Sequence, residues 1–368
     1  MSIAPRTADA PQGPTAAPYR AEDRFLGLRI RPMTRRRIDT FRRHRRGYWS
    51  LWIFVGLFAI SLFGEVLCND RPLIVKFDGE YYFPVLVDYP ETRFGGFFET
   101  ATNYRDPYVR DLVKEHGWAL WPLIRFSYRT INYDLKVPAP SPPSPDNWLG
   151  TDDQAKDVVA NIVYGFRISV AFGFTLTILS SIIGVLVGAG SGYFGGWFDL
   201  LLQRFMEIWG SVPTLFLLII LASLITPGFW TIMALLMLFA WMGLVDLVRA
   251  EFYRARGHDY VRAARALGVA DWTLIVRHIL PNAMISTVTM LPFILAGSVT
   301  TLTSLDFLGF GLPPGSPSLG NLLNQGKSQL SSPWLGISAF VILFVMLTLL
   351  VFIGEAVRDA FDPRKTQS

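Results

Sequence analysis

Residues 320–328 come close to a phosphate-binding loop, the glycine-rich segment with which many proteins hold ATP. They read Gly-Asn-Leu-Leu-Asn-Gln-Gly-Lys-Ser. Five residues separate Gly320 from Gly326, whereas the loop requires four. The segment also falls in a loop predicted to face away from the cytoplasm, where it would meet no ATP. We therefore expect no nucleotide site here and no motor within this chain.

Two acids near membrane depth suggest a different chemistry, the movement of a proton or another ion. Glu207 and Asp246 border long apolar runs, and ionisable groups inside a membrane are often functional. Each has an arginine three residues away on the same helix face, Arg204 and Arg249 respectively. We predict local ion pairs at the cytoplasmic ends of two helices, with a proton relay as the alternative.

No other combination of side chains predicts catalysis. No nucleophile lies beside an orienting base, and the histidines, at positions 44, 116, 258 and 278, lack metal-ligand spacing. The single cysteine, Cys68, excludes an internal disulfide. We expect no catalytic residue, no metal site and no bound cofactor.

The elements that would position any site are membrane-spanning helices. Only 17% of the 368 residues are charged, against about 25% in ordinary soluble proteins. Four runs lack Asp, Glu, Lys and Arg: residues 168–198, 208–245, 280–305 and 335–353. About 18 such residues suffice to span a bilayer, and Thr226-Pro-Gly divides the second run in two. We predict an all-α integral membrane protein with spans near residues 48–67, 166–190, 200–225, 229–249, 282–304 and 334–355.

The charge distribution predicts the orientation in the membrane. Residues 1–48 contain twelve Arg and four acids, a net charge of +8, and positively charged segments beside spans stay in the cytoplasm. With six spans, both termini and the loop 250–281 are then cytoplasmic. Because the basic tail adjoins a span, contact with anionic lipid fits it better than binding to nucleic acid.

The chain divides into a basic tail, a first span, a large outer region, a helical core and a short final tail. Residues 1–24 are predicted to be disordered and residues 25–46 to form a basic surface helix. The outer region should be partly folded, with a strand near 81–89 and a proline-rich, semi-rigid connector at 137–145. The predicted boundaries are 1–47, 48–67, 68–148, 149–358 (five helices) and 359–368.

A row of glycines predicts close helix packing. They recur at every fourth position and therefore share one helix face. We expect this face to pack within the chain, with a partner chain as the alternative. The glycines are residues 184, 188, 192 and 196.

The 260–281 segment has the strongest local pattern. Apolar side chains at helical spacing predict a short helix that Asp259 can cap and Gly268 ends. Asp271 can cap a second short helix, set at an angle to the first, and Pro281 suits the start of the next span. A surface lying on lipid and a docking surface fit this periodicity equally well. The apolar residues are Tyr260, Ala263, Ala264 and Leu267 in the first helix and Trp272, Ile275, Val276 and Ile279 in the second.

The sequence of this segment resembles the signature of the membrane subunits of bacterial ABC importers. It reads Tyr-Val-Arg-Ala-Ala-Arg-Ala-Leu-Gly at 260–268 and Arg-His-Ile-Leu-Pro-Asn at 277–282. In that family the first short helix, here 259–268, is the coupling helix that sits in a groove of the ATPase. Arg262 stands where the family often has Glu, which puts a specific acid contact in doubt. The resemblance implies ATPase coupling through Tyr260, Ala263, Ala264, Leu267, Gly268, Ile279, Leu280 and Pro281.

Two further segments narrow the resemblance to the C-type permeases of dipeptide, oligopeptide and nickel importers. The stretch 147–169, with Asn-Trp-Leu-Gly-Thr-Asp and Asp157, is similar to the entry to their second span. Residues 306–321 are similar to their outer loop before the last helix. The enlarged outer region is most similar to that of the peptide importer that also takes up microcin C. The resemblance covers 149–358 and the first helix, and it implies a type I importer fold in a bacterial inner membrane, with 68–148 in the periplasm.

The resemblance implies a non-catalytic permease that passes peptides while partner subunits hydrolyse ATP. The implied partners are a second homologous permease forming a heterodimer, two ATPase subunits or a fused one holding ATP and Mg, a periplasmic peptide-binding protein, and lipid. The alternatives are a nickel importer, a secondary transporter coupling protons through Glu207 or Asp246, and, least favoured, a membrane enzyme. A path for peptides of many sequences should be wide and lined by weakly polar groups. On this basis we expect the pathway residues to be Ser180, Ser181, Thr300, Thr301 and Ser304.

Overall fold

The computed structural model describes residues 24–25, 28–29 and 32–362. Two antiparallel two-residue strands, β1 (Arg24–Phe25) and β2 (Leu28–Arg29), precede helix α1 (Pro32–Arg43). The predicted helix over 25–46 is therefore shorter. His44 interrupts it and caps helix α2 (Arg45–Leu62), since its Nδ1 accepts the Gly47 N–H at 3.2 Å. The predictions for residues 1–23 and for 363–368 of the final tail lie outside the described residues.

Long apolar helices dominate the chain from residue 158 onward and confirm the all-α membrane architecture. Four helical stretches are long and apolar enough to cross a membrane, and a bent pair of helices makes a fifth if it counts as one span. The remaining predicted span, the first in the chain near residues 48–67, corresponds to α2 and the short α3 (Gly64–Leu67). The helices are α5 (Val158–Phe194), α6 (Gly196–Gly210), α7 (Thr214–Leu224), α8 (Phe229–Ala240), α9 (Met242–Ala255), α12 (Leu280–Phe307) and α14 (Pro333–Phe361).

The predicted span over 200–225 is not one straight helix, because it is broken in the middle. Helices α6 and α7 meet at an angle of 74°. The break lies at Ser211-Val212-Pro213, where proline supplies no N–H and disfavours helical geometry at the residue before it. The predicted turn at Thr226-Pro-Gly228 does separate α7 from α8.

The glycine row joins α5 to α9. A Cβ added to Gly184, Gly188 or Gly192 would lie 2.5–2.7 Å from a backbone carbonyl oxygen of α9 or of Trp241 just before it. The prediction of packing within the chain is therefore right for these three. Gly196 does not belong to the row: it lies beyond the end of α5, has φ +60°, and no neighbouring atom would meet its Cβ.

The outer region folds around a small sheet. Strands β3 (Ile74–Phe77), β4 (Glu80–Tyr82) and β5 (Gly117–Leu120) are antiparallel in the order β4-β3-β5, with α4 (Pro107–His116) beside them. The predicted strand over 81–89 is wrong beyond Tyr82, because Pro84 cannot extend the ladder. The core of this region consists of Val75, Phe77, Phe94, Tyr104, Val109 and Val113.

Buried hydrogen bonds fasten the proline-rich connector to the start of α5. Asp157 caps α5 by accepting the Ala160 N–H at 2.8 Å, and it also accepts from Asn147 Nδ2 at 2.8 Å. The Asn147 oxygen in turn accepts from Asn132. Two hydrogen bonds of 2.9 Å join Ser141 and Thr151: the Ser141 N–H donates to the Thr151 hydroxyl, and the Thr151 N–H donates to the Ser141 carbonyl. The predicted proline-rich connector is thus bonded to the loop that precedes α5. Burial raises the pKa of Asp157 despite these bonds.

The near-match to a phosphate-binding loop lies within helix α13 (Leu319–Ser328). Gly320 allows this helix to touch α12, because an added Cβ would lie 2.4 Å from the Thr303 carbonyl oxygen. Asp306 holds the preceding loop, accepting the Leu312 N–H at 2.7 Å and the Ser318 hydroxyl at 2.6 Å. The glycine and the acid thus serve packing of the outer loop.

Candidate functional site

Helix α10 (Asp259–Ala266) forms the first part of the 260–281 segment. Its N-cap residue is His258 and no side chain caps it, so the prediction that Asp259 caps this helix is wrong. Gly268 ends it as predicted, with φ +80°. The N–H of Gly268 bonds the Arg265 carbonyl at 3.0 Å and that of Val269 bonds the Ala264 carbonyl at 3.2 Å. This pair of bonds is the Schellman motif, which favours glycine at the left-handed position.

The second part of the segment is not a separate helix. The short α11 (Asp271–Thr273) continues through a π-helical turn, Leu274–Ile279, directly into α12. Ala270, not Asp271, is the N-cap, so the predicted second cap is wrong. Pro281 does lie in the first turn of α12, where its missing N–H is tolerated.

The segment is anchored by one set of apolar side chains and exposes another. Val261 is 1% exposed, and Leu274 and Ile279 are fully buried in a cluster with the inner ends of α5 and α9. By contrast, Leu267 is 84% exposed and Trp272 is 71% exposed. We call the outward residues the exposed apolar set: Tyr260, Ala263, Leu267, Trp272 and Val276.

The predicted coupling residues therefore divide into two groups. Ala264, Ile279 and Leu280 pack inward and hold the segment in place. The exposed members are Tyr260, Ala263, Leu267, Gly268 and Pro281. Sequence analysis missed the anchor Val261, because it lies off the apolar stripe, and periodicity does not reveal which face meets the remainder of the chain. It also left Trp272 and Val276 out of the coupling set, although it placed them on one apolar face.

Tyr193, at the inner end of α5, braces the segment. Its hydroxyl donates to the Asp271 carboxylate and accepts from Arg265 Nη2 at 2.9 Å. The bond to Tyr193 raises the pKa of Arg265. Arg256 Nη1 donates to the Tyr193 carbonyl at 3.2 Å. The segment is therefore linked to α5 by polar contacts as well as by its buried anchors.

The two predicted ion pairs have different outcomes. Arg249 does not pair with Asp246; it makes a two-pronged contact with Asp199 of α6, at 2.6 and 2.7 Å. The local prediction failed because it considered only residues on the same helix. Arg204 does pair with Glu207, Nη1 to Oε2 2.5 Å. This pair lies about two turns further along α6 than Asp199.

The predicted pathway residues lie in two separate grooves. Thr300 and Ser304 line a groove of about 720 Å³ beside α12 and α14. Ser181 lines another, of about 590 Å³, among α2, α5, α12 and α14. Ser180 is buried and bonds the Thr177 carbonyl, while Thr301 bonds the Gly297 carbonyl. The structure thus does not bring the five residues together.

Comparison with known proteins identifies the family. Residues 180–367 match the family described as the binding-protein-dependent transport system inner membrane component. The chain is 54% identical to the peptidoglycan transport system permease protein YejE of Agrobacterium fabrum, over 91% of this chain and 94% of that one. It is 57% identical to the inner membrane ABC transporter permease protein YejE of Escherichia coli, over 92% and 99% respectively. It is 32% identical to the oligopeptide transport system permease protein OppC of Lactococcus lactis, over 59% and 75%. The chain therefore belongs to the binding-protein-dependent transport system inner membrane components, the permeases of ABC importers.

Proposed function

We propose that this chain is a permease subunit of an ATP-driven importer that passes peptides across a bacterial inner membrane. The named relatives, permeases of peptidoglycan and oligopeptide transport systems, support the substrate class. We further propose that the exposed apolar set is the surface on which an ATPase docks. The observation that carries this is the combination of a braced segment with exposed Leu267 and Trp272.

The exposed apolar set suits a protein partner better than lipid. Arg262, Arg265 and Arg277 are exposed among these side chains and would suit anionic lipid as well as a protein, so the preference rests on the apolar side chains and on how firmly the segment is held. Burying an exposed large apolar side chain stabilises a complex by about 1.5–3 kcal/mol, and tryptophan is enriched among the residues that dominate binding energy. Because Val261, Leu274 and Ile279 fix the segment, a partner would not have to order it first.

The orientation and the assembly belong to the same proposal. The arginine-rich sequence before α2 supports cytoplasmic termini, which place the 260–281 segment on the ATPase side. The complex would contain a second homologous permease, two ATPase subunits or a fused one carrying ATP and Mg, and a periplasmic peptide-binding protein. This chain would then be a non-catalytic subunit that converts the ATPase movement into a change of access.

A matched pair of leucines tests the docking surface. Leu267 and Leu330 are each 84% exposed, Leu267 at the inner end of the helices and Leu330 at the outer end before α14. In the complete complex reconstituted in proteoliposomes, Leu267→Asp should lower peptide-stimulated ATP hydrolysis at least tenfold, because a charge enters the apolar contact. Leu330→Asp should leave it unchanged. Ala263→Glu should act like Leu267→Asp, and it is cleaner than Ala264→Glu because Ala264 packs inward.

Equal activity of Leu267→Asp and wild type would refute the docking surface. The substrate class is tested separately by uptake of a radiolabelled tripeptide with the binding protein present. Uptake of nickel without uptake of peptide would favour the nickel alternative. Peptide uptake that an uncoupler abolishes and ATP depletion does not would instead favour proton coupling.

A further inference from the structure

Helix α6 has three distinct faces. One packs against the remainder of the chain through Met206 and Trp209. A second is apolar and exposed, with Trp197, Leu201, Phe205 and Ile208 between 48% and 77% exposed. A third carries Gln203, Arg204, Glu207 and Ser211, which recur at helical spacing and form what we call the polar stripe.

The polar stripe lies at membrane depth. Trp209 Nε1 donates to the Leu238 carbonyl at 3.1 Å, and its ring stacks on Phe239 at 5.6 Å. Leu238 is nine residues from the start of the helical stretch Phe229–Ala255 and seventeen from its end. At 1.5 Å per residue these intervals are about 14 and about 25 Å. Glu207, two residues before Trp209, is therefore level with the hydrocarbon interior.

Charged side chains at this depth do not face lipid. Arg204 and Glu207 have side chains that are 66% and 60% exposed, and each is the other's ion-pair partner. Exposure to hydrocarbon would be costly for both, so such groups face the bundle interior or a water-filled cavity. Snorkelling to the cytoplasmic surface does not relieve the cost, because Asp199 and Arg249 mark a position about 12 Å nearer that end.

The break between α6 and α7 is an independent sign of a cavity. Ser211, Val212 and Pro213 are all exposed and leave the helical hydrogen-bond pattern at the end of the stripe. Irregular backbone at membrane depth is tolerated where it is buried in protein or lines water, and not where it meets lipid. Transport proteins commonly place solute sites at such broken helices.

We propose that the polar stripe lines the solute pathway and contacts the charged ends of a peptide one at a time as it passes, Glu207 binding the ammonium group and Arg204 the carboxylate. This inference rests on the proposed function. Every unmodified peptide has both groups, so the contact is independent of sequence. Because the pair is already neutral and solvated, binding is weak, which suits a site that the solute must leave. Gln203 lies at the start of the stripe, and its buried Nε2 has no hydrogen-bond partner among the described residues.

Thiol labelling of the assembled transporter tests where the stripe faces. The natural thiol gives little background, since Cys68 is 1% exposed and burial raises its pKa to about 12. A cationic, membrane-impermeant methanethiosulfonate should react at least tenfold faster with Ser211→Cys than with Phe205→Cys or Ile208→Cys. Trialanine should slow the reaction of Ser211→Cys. A Ser211→Cys variant as unreactive as the lipid-face variants would show that the second permease covers the stripe and would overturn the inference.

Blocked peptides test the assignment of charges. In the complete complex, Glu207→Gln should lower the uptake of trialanine about tenfold and leave that of N-acetyl-trialanine at the wild-type level. Arg204→Gln should do the same for trialanine and spare its C-terminal amide. Leu201→Ala, on the lipid face, is the control and should change neither.

The outcomes separate this inference from the proposed function. If the wild-type complex imports no trialanine at all, the peptide importer itself is refuted. If the wild type imports trialanine and both charge variants match it, or lose all three peptides equally, only the role of the stripe is refuted. Basal ATP hydrolysis of each variant shows whether the complex has assembled.

Discussion

The outer and inner ends of the helices are held in opposite ways. At the outer end, Asn132, Asn147 and Asp157 form a buried chain of hydrogen bonds that ties loops to the start of α5. At the inner end, α10 is fixed mainly by Val261 and by contacts to Tyr193, and it leaves Leu267 and Trp272 outside. The first end is held together by hydrogen bonds within the chain, whereas the second leaves large apolar side chains exposed.

The sharpest way to break this contrast is to remove Asp157. Asp157→Ala leaves the Ala160 N–H and the Asn147 amide buried without an acceptor, and loss of a helix cap with two unsatisfied donors costs about 3 kcal/mol. We expect a clear fall in the thermal midpoint of the purified protein. Asp157→Asn, which keeps an acceptor oxygen, should cost about 1 kcal/mol. An Ala variant as stable as the Asn variant would contradict the role of the network.

The same residue predicts a pH dependence. Burial raises the folded pKa of Asp157 above its unfolded value of about 3.9. The folded state therefore holds the proton more tightly, and stability falls as pH rises through the raised pKa. The stability of wild type relative to Asp157→Asn should accordingly be greater at pH 4 than at pH 7. An unchanged difference would show that the carboxyl group does not titrate in this range.

Substitutions of Gly268 test how much the C-terminal end of α10 contributes to coupling. No atom lies within 4 Å of where its Cβ would be, so only the backbone conformation, φ +80°, opposes a side chain. Gly268→Val should cost about 1–2 kcal/mol locally, and Gly268→Asn less, because asparagine tolerates this conformation. Peptide-stimulated ATP hydrolysis should fall in the order glycine, asparagine, valine, with little change in the thermal midpoint. Equal activity of all three would exclude a role for this helix end.

The smallest expected effect concerns the brace. Tyr193→Phe removes the bonds to Asp271 and Arg265 but keeps the ring packed in its cluster, a loss of about 1 kcal/mol. Hydrogen exchange should become faster at residues 265–275 and remain unchanged in the outer region. Tyr253→Phe serves as the control, because the Tyr253 hydroxyl group makes no hydrogen bond with any of the residues that the structure describes. Unchanged exchange in Tyr193→Phe would mean that the apolar anchors alone fix the segment.

Charge-free runs and helix signals in the sequence were enough to predict the membrane helices and their approximate limits. The local pattern was reliable at Gly268, which ends α10, but not at Asp259 and Asp271, which do not cap the helices that follow. It also failed where the deciding partner is distant in sequence, because Arg249 pairs with Asp199 and not with Asp246. Pro213 could have predicted the break, but it lies within a long apolar run that was interpreted as continuous helix up to residue 225.

For the candidate site, the sequence predicted where the segment lies but not which side chains face outward. Ala263 and Ala264 are adjacent and chemically identical, yet one is exposed and the other packs inward. The pathway residues were chosen for weak polarity alone, and four of them bond carbonyls of their own helix. Arg204 and Glu207 were identified as a pair, and only the contact of α6 with Leu238 revealed their depth.

The close contact between α5 and α9 has a mechanical consequence. Because backbone carbonyl groups pack directly against three glycines of α5, helices α5 and α9 are closely packed and should move together as one rigid unit. Helix α5 has 37 residues, a length of about 55 Å. A push of about 5 Å at its inner end would tilt a rod of that length by only about 5°. A movement at the C-terminal end of α5 would therefore tilt this pair of helices as one unit against its neighbours.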